Sequence, residues 1–239
     1  MELAISCGAD AVKIQTYTED SLTINSDRPE FFLNDGLWKG QTYYELYKKA
    51  KTPREWMKPL FCYARSKGIF LFSSPFCTED VDCLEEAGCP AYKIASYELN
   101  DVDLVDYCAS KGKPMVLSTG LADEDEIDRA VEILKRRKVS DFTLLHCESR
   151  YPAIPELFNL RSICYLKEKY HCKAGLSNHA LGDEMDIAAV ALGADLIEKH
   201  FTDDRAKGGV DSAFSMDVHD LRKLVDTNDD NKIQTKFLY

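Results

Sequence analysis

The sequence has no apolar run near the ~18 residues that a membrane-spanning helix requires, and no Cys-x-x-Cys pair among its nine cysteines, at 7, 62, 77, 83, 89, 108, 147, 164 and 172. The first absence excludes a helical membrane span within these residues. The second, with an odd cysteine count, excludes a zinc knuckle and opposes a disulfide framework. The thiols are therefore expected to be reduced, most of them as small core hydrophobes, in a cytoplasmic setting. Residues 1–8 carry an acid at position 2 and no basic flank, unlike a secretory signal. Neither G-x-G-x-x-G nor a Walker A loop occurs, which removes the usual nucleotide signatures. Basic residues are scarce: 30 Lys and Arg stand against 41 Asp and Glu, a formal net charge of -11. That excess of acid opposes a nucleic-acid or anionic-membrane partner. It leaves room for an anionic small molecule in a locally cationic pocket.

What is present fits an α/β chain. The 239 residues are 45% hydrophobic, and a (β/α)8 barrel takes about 250. Short apolar runs at 10–15, 69–73, 91–95, 114–118, 142–147, 173–176 and 195–199 read as strands buried on both faces. Amphipathic patterns at 53–67, 78–87, 102–110, 123–136, 160–170, 184–192 and 217–225 read as helices between and after them. A local repeat supports the alternation: Gly8, Gly88 and Gly193 each precede a strand by a short turn, as left-handed helix caps do. The unit count, the missing glycine loop and the polar residues at strand C-terminal ends favour a (β/α)8 TIM barrel over an open sheet. Residues 18–52 interrupt the rhythm with an aromatic-rich insertion (Phe31, Phe32, Trp38, Tyr43, Tyr44, Tyr47), expected to be ordered and to cover something. Residues 226–239 read as a polar, frayed tail.

At the strand ends lie Lys13 and Gln15; Lys93, Ser96 and Glu98; Ser118, Thr119 and Gly120; Ser177, Asn178 and His179; and Glu198, Lys199 and His200. Lysines, serines and backbone amides at one mouth suit an anion carrying phosphate and carboxylate. Two histidines from adjacent strands suit a divalent metal with open positions. Taken singly, each has a plainer reading, as a solvated lysine or a satisfied core histidine. Their shared position at one end of every strand makes the joint pattern more specific than its parts.

The segments Ala-Asp-Ala-Val-Lys13-Ile-Gln15-Thr-Tyr, Phe72-Ser-Ser-Pro-Phe76, Tyr92-Lys-Ile-Ala-Ser96, Leu117-Ser-Thr-Gly120, Gly175-Leu-Ser-Asn-His179 and Ile197-Glu-Lys-His-Phe201 resemble the sialic acid synthase family in order and spacing. Within it, the tract from Tyr17 to Asp27, then Gly36-Leu-Trp38, Tyr44-Glu-Leu-Tyr47, Ala50-Lys-Thr-Pro53 and Glu55-Trp56, is similar to pseudaminic acid synthases. The resemblance implies a transferase that condenses phosphoenolpyruvate with an open-chain 2,4-diacetamido-2,4,6-trideoxy sugar and releases phosphate. The alternatives are an N-acetylneuraminate synthase acting on N-acetylmannosamine, a Schiff-base aldolase using Lys93 or Lys13, and a non-catalytic barrel remnant. By resemblance, His179 and His200 hold the metal, normally Mn²⁺ with Mg²⁺ or Co²⁺ as substitutes. Lys13, Lys93, Ser96, Ser118 and Ser177 hold phosphoenolpyruvate, and Gln15, Glu98, Tyr151 and Asp211 face the sugar. Lys93, Glu98 and His200 are the residues expected to be catalytic.

There are departures from the family pattern. Asn178 stands where Asp is common, which makes the surroundings of the metal less anionic. Cys77 follows Ser-Pro-Phe where Asp is frequent. Family members carry one more strand before the helix that begins here, and a C-terminal antifreeze-like domain that is exchanged in a homodimer. The expectation is thus a barrel at 1–225 lacking its first strand, with an open seam, a tail at 226–239 and no antifreeze-like domain.

Overall fold

Several strands of the fold, Tyr92–Ile94, Phe142–Cys147 and Leu196–Lys199 among them, are short runs largely closed to water, and capping residues set the ends of several helices between them. The computed structural model describes residues 1–34, 38–230 and 236–238. Its strands are β1 (Ala11–Thr16), β2 (Phe70–Pro75), β3 (Tyr92–Ile94), β4 (Met115–Ser118), β5 (Phe142–Cys147), β6 (Lys173–Asn178), β7 (Leu196–Lys199) and β8 (Lys236–Leu238). All pair in parallel, in sequence order, and close into a barrel. The helices are α1 (Glu2–Ser6), α2 (Glu19–Leu22), α3 (Tyr43–Ala50), α4 (Met57–Lys67), α5 (Thr78–Ala87), α6 (Val102–Ser110), α7 (Glu124–Arg136), α8 (Arg161–Tyr170), α9 (Glu184–Ala191) and α10 (Val218–Asp230).

Local chemistry accounts for the helices. In α7, Asp123 and Glu126 form a reciprocal capping box, acids fill the first turn, and Lys135 and Arg136 close the last. Its buried stripe is Ala130, Val131, Ile133 and Leu134. The helix α5 ends on Gly88 at φ 78°, a left-handed cap that costs a residue without Cβ nothing. Gly8 and Gly193 also have positive φ, as the repeat implied. Leu71, Leu84, Ile94, Leu104, Leu117 and Leu134 are among the core side chains that seal strands against helices.

The seam differs from the expectation. Residues read as a frayed tail continue α10 through Asp230 and then supply β8, which pairs with β7 and, through Ala11 and Leu238, with β1. A barrel short of a strand leaves two rows of unpaired N–H and C=O groups, and an extended segment within reach satisfies them. Among the described residues, the strand between β7 and β1 is β8.

The insertion is ordered where it is described; Gly36 and Leu37 of its Gly-Leu-Trp motif lie outside the described residues. Thr42 and Glu45 cap α3 reciprocally, and Lys51 reaches back to Glu19 at 2.6 Å. Tyr17, buried at the end of β1, meets Tyr47 edge-on at 6.0 Å and Phe76 at 5.5 Å. Tyr43 stacks on Tyr47 at 6.1 Å. These rings fix the insertion beside the C-terminal end of β1.

Candidate active site

Alternation along a strand sends residues two apart to one face, so Lys13 and Gln15, Ser177 and His179, and Glu198 and His200 turn the same way. The structure brings four of the expected anion-binding residues together around Glu198. Lys13 Nζ lies 3.3 Å and Lys93 Nζ 3.5 Å from Glu198 Oε1, and Ser177 Oγ donates to that oxygen at 2.9 Å. Lys93 also donates to Ser118 Oγ at 2.7 Å. Burial alone raises the Glu198 carboxyl, but Lys13 and Lys93 outweigh it and hold the group well below the usual carboxylate range. The Lys93 ammonium is drawn down by burial, with Glu198 opposing. Glu198 Oε2 is buried without a hydrogen-bond partner.

Ser96 follows β3, the strand of Lys93, and its Oγ accepts from the Gly120 amide at 3.1 Å. A Cβ on Gly120 would fall 2.4 Å from Ser149 Oγ and 2.6 Å from the Cys147 carbonyl, so the backbone passes there only as glycine. Glu98 Oε2 is buried and unpartnered. Burial pushes the Glu98 carboxyl up to about 7, against the pull of Lys93.

The histidines stand side by side at the same mouth, with ring centroids 5.2 Å apart. His179 is buried, and burial followed by the neighbouring His200 lowers it to about 3, so it is a neutral imidazole. Its Nδ1 lies 3.2 Å from the Glu148 carbonyl. A carbonyl only accepts, so Nδ1 carries the proton and Nε2 the lone pair. His200 Nδ1 faces Asp211 Oδ2 at 3.1 Å. Tyr151 covers both rings, 4.3 Å from His179 and 6.1 Å from His200, and Phe214 flanks His200 at 5.4 Å. Among the described residues, no group of three or more His, Cys, Asp and Glu side chains is placed to hold a metal ion. Two imidazoles, each with Nδ1 engaged by an oxygen acceptor, fit instead a divalent cation that takes its other ligands from water or substrate.

Asn178 points away from the rings. It donates to Asp186 Oδ1 at 2.8 Å and accepts from the Ala180 amide at 2.8 Å. Lys199 lies 3.4 Å from Asp186 Oδ2. Cys77 occupies the N-cap of α5 and makes no side-chain cap bond.

Of the residues expected at the site, Lys13, Lys93, Ser118 and Ser177 converge, Ser96 and Glu98 adjoin them, and His179, His200, Tyr151 and Asp211 form a second cluster. Gln15 lies on the same end, in register with Ser74 of β2. Asp211, expected to face the sugar, contacts His200. Glu198, which the sequence places at a strand end without a role of its own, is the hub of the first cluster. The signal for that role was its place two residues before His200, which puts both on one strand face.

Lysines, serines and paired imidazoles thus gather at the C-terminal mouth of a parallel (β/α)8 barrel, the end at which such barrels carry their active sites. The profile of the NeuB family matches residues 1–235. The chain is 47% identical over 226 residues to a pseudaminic acid synthase of Campylobacter jejuni, covering 95% of this chain and 66% of that protein. It is 43% identical to the pseudaminic acid synthase of Helicobacter pylori, over 92% of this chain and 64% of that one. A solved N-acetylneuraminic acid synthetase from Leptospira borgpetersenii, in complex with citrate, superposes with a TM-score of 0.86 at 33% identity, over 98% of this chain and 76% of that one. The chain belongs to the NeuB family. It spans just under two thirds of the length of the curated relatives it matches.

Proposed function

We propose that the barrel mouth condenses phosphoenolpyruvate with an open-chain 2,4-diacetamido-2,4,6-trideoxy sugar to give pseudaminic acid and phosphate. The observation that carries this reading is the convergence of Lys13, Lys93 and Ser177 on Glu198, beside a pair of imidazoles 5.2 Å apart. In the reaction, C3 of the enol attacks the sugar aldehyde carbon, and the aldehyde oxygen takes a proton and becomes a hydroxyl. Water adds at C2, and the C2–O bond to phosphate breaks, leaving a keto group. Phosphate and carboxylate need fixed cations, which Lys13 and Lys93 supply. Ser96, Ser118, Ser177 and the Gly120 backbone give hydrogen bonds to orient them. Glu198 holds both lysines in place. Glu98, held protonated up to about pH 7, donates or holds one near the sugar. Gln15, Tyr151 and Asp211 bound the sugar side.

His179 and His200 are the residues that hold a divalent cation, Mn²⁺ by our reading, and that cation when bound supplies Lewis-acid polarisation of the aldehyde oxygen. The nine thiols form no disulfide, which suits a reducing, cytoplasmic setting. We further propose that the whole protein acts as a homodimer.

Phosphate release from phosphoenolpyruvate tests this reading. Release is expected only with the 2,4-diacetamido sugar present and to stop on chelation. Turnover that persists after exhaustive chelation overturns the reading, and a preference for N-acetylmannosamine replaces the sugar.

A further inference from the structure

Two residues that immediately precede the histidines are oriented away from them and are fully buried. Asn178 ends β6 and Lys199 ends β7, and the two are register partners. Strand alternation places them on the opposite face from His179 and His200. There Lys199 donates to the carbonyls of Ala180 at 2.7 Å and Gly182 at 3.1 Å, the turn that follows His179. Asp186, from the first turn of α9, bridges the same two residues: Oδ1 takes the Asn178 amide and Oδ2 faces the Lys199 ammonium. Asn178 Oδ1 closes the loop by accepting from the Ala180 amide. Exposure of Asn178, Asp186 and Lys199 is 1%, 0% and 2%. The strand that carries one imidazole is therefore tied, through a single charged side chain, to the turn that carries the other.

We propose that Lys199, Asp186 and Asn178 form a positioning device that fixes the separation of His179 and His200, and so sets the affinity of the imidazole pair for a divalent cation. The inference rests on the reading of that pair given above. A buried ion pair is weak ground for stability, because well-packed apolar residues in its place are often neutral or better. A role in geometry explains why charge is kept here. The bonds run to backbone carbonyls on either side of one turn, which fixes the turn's position against β7 more tightly than apolar contact would. Side chains that orient metal-binding groups from behind typically change metal affinity about 10–100-fold when removed.

The test uses the full chain and Mn²⁺ alone, with unbound Mn²⁺ followed by electron paramagnetic resonance and folding followed by circular dichroism and thermal unfolding. Lys199→Met combined with Asp186→Leu is expected to unfold cooperatively and to bind Mn²⁺ at least about tenfold more weakly. Asn178→Ala, which leaves no charge unpaired, is expected to weaken binding in the same direction and carries the test if the double variant does not fold. Mn²⁺ affinity unchanged in folded variants, with the unaltered chain binding through its histidines, overturns the positioning role alone. An unaltered chain that takes up no Mn²⁺, or a His179→Ala variant that binds it equally well, overturns the imidazole-pair reading and this inference with it.

Discussion

Lys93 Nζ stands 3.5 Å from Glu198 Oε1, both side chains nearly closed to solvent, with Lys13 3.3 Å from the same oxygen. One carboxylate therefore balances two ammonium groups, and the cluster keeps one positive charge for an incoming anion. Removing one partner of a buried pair typically costs about 3–5 kcal/mol, because the remaining charge is left uncompensated. Glu198→Gln is expected to lose stability toward that range in chemical denaturation. Millimolar inorganic phosphate should recover it by taking the carboxylate's place, raising the midpoint temperature more in the variant than in the unaltered chain. Equal phosphate shifts in the two proteins would contradict this.

Glu98 sets a pH dependence whose sign follows from its burial. The folded chain keeps the Glu98 proton up to about pH 7, against 4.5 for an ordinary glutamate. Between those values the folded state holds a proton that the unfolded state has released, so stability falls as pH rises through the window and levels above it. Glu98→Gln removes that loss. Compared with the unaltered chain, the variant is expected to gain on the order of 3 kcal/mol between pH 4.5 and 7. Parallel stability profiles across that range would show that Glu98 is ionised in the folded chain.

Cys77 makes a different prediction, for stability alone. It stands at the N-cap of α5 with extended backbone and no side-chain cap, and burial pushes its thiol up to about 12, so it stays neutral. An aspartate oxygen there accepts from the free amides of the first turn. Cys77→Asp is expected to stabilise the chain by about 1 kcal/mol, read as a higher urea midpoint with an unchanged slope.

The insertion borders the side of the mouth proposed to take the sugar. Tyr47 meets Tyr17 edge-on at 6.0 Å and lies within electrostatic reach of Tyr97 and Glu98. Tyr47→Ala is expected to raise the KM for the sugar about tenfold, as loss of an aromatic contact does, and to leave the KM for phosphoenolpyruvate unchanged. A rise in both would place Tyr47 in general support of the mouth.

Much of this fold is legible in the sequence because its elements are locally determined. Phe142–Cys147 and the helices Thr78–Ala87 and Val102–Ser110 fall where apolar runs and caps put them. The closing strand was not legible. Lys236–Leu238 is three residues long, and what pairs it is the pair of open edges on β1 and β7, more than 200 and nearly 40 residues away in sequence. At the site, lysines and histidines at strand ends were readable from residue type and position. Glu198 was not singled out, because its role exists only once Lys13, Lys93 and Ser177 arrive from three other strands. The bonds joining Asn178, Asp186 and Lys199 are hidden in the same way, since each group is ordinary until the turn after His179 folds between them.

The central claim is that one mouth binds an anion and a divalent cation together. Its most direct measurement is phosphoenolpyruvate affinity by calorimetry, with and without Mn²⁺, in the unaltered chain and in His200→Ala. Because coupling between two ligands is reciprocal, Mn²⁺ is expected to tighten phosphoenolpyruvate binding by about tenfold or more in the unaltered chain. His200→Ala should retain binding through Lys13 and Lys93 and lose the enhancement. The same phosphoenolpyruvate affinity with and without Mn²⁺ in the unaltered chain would contradict the account.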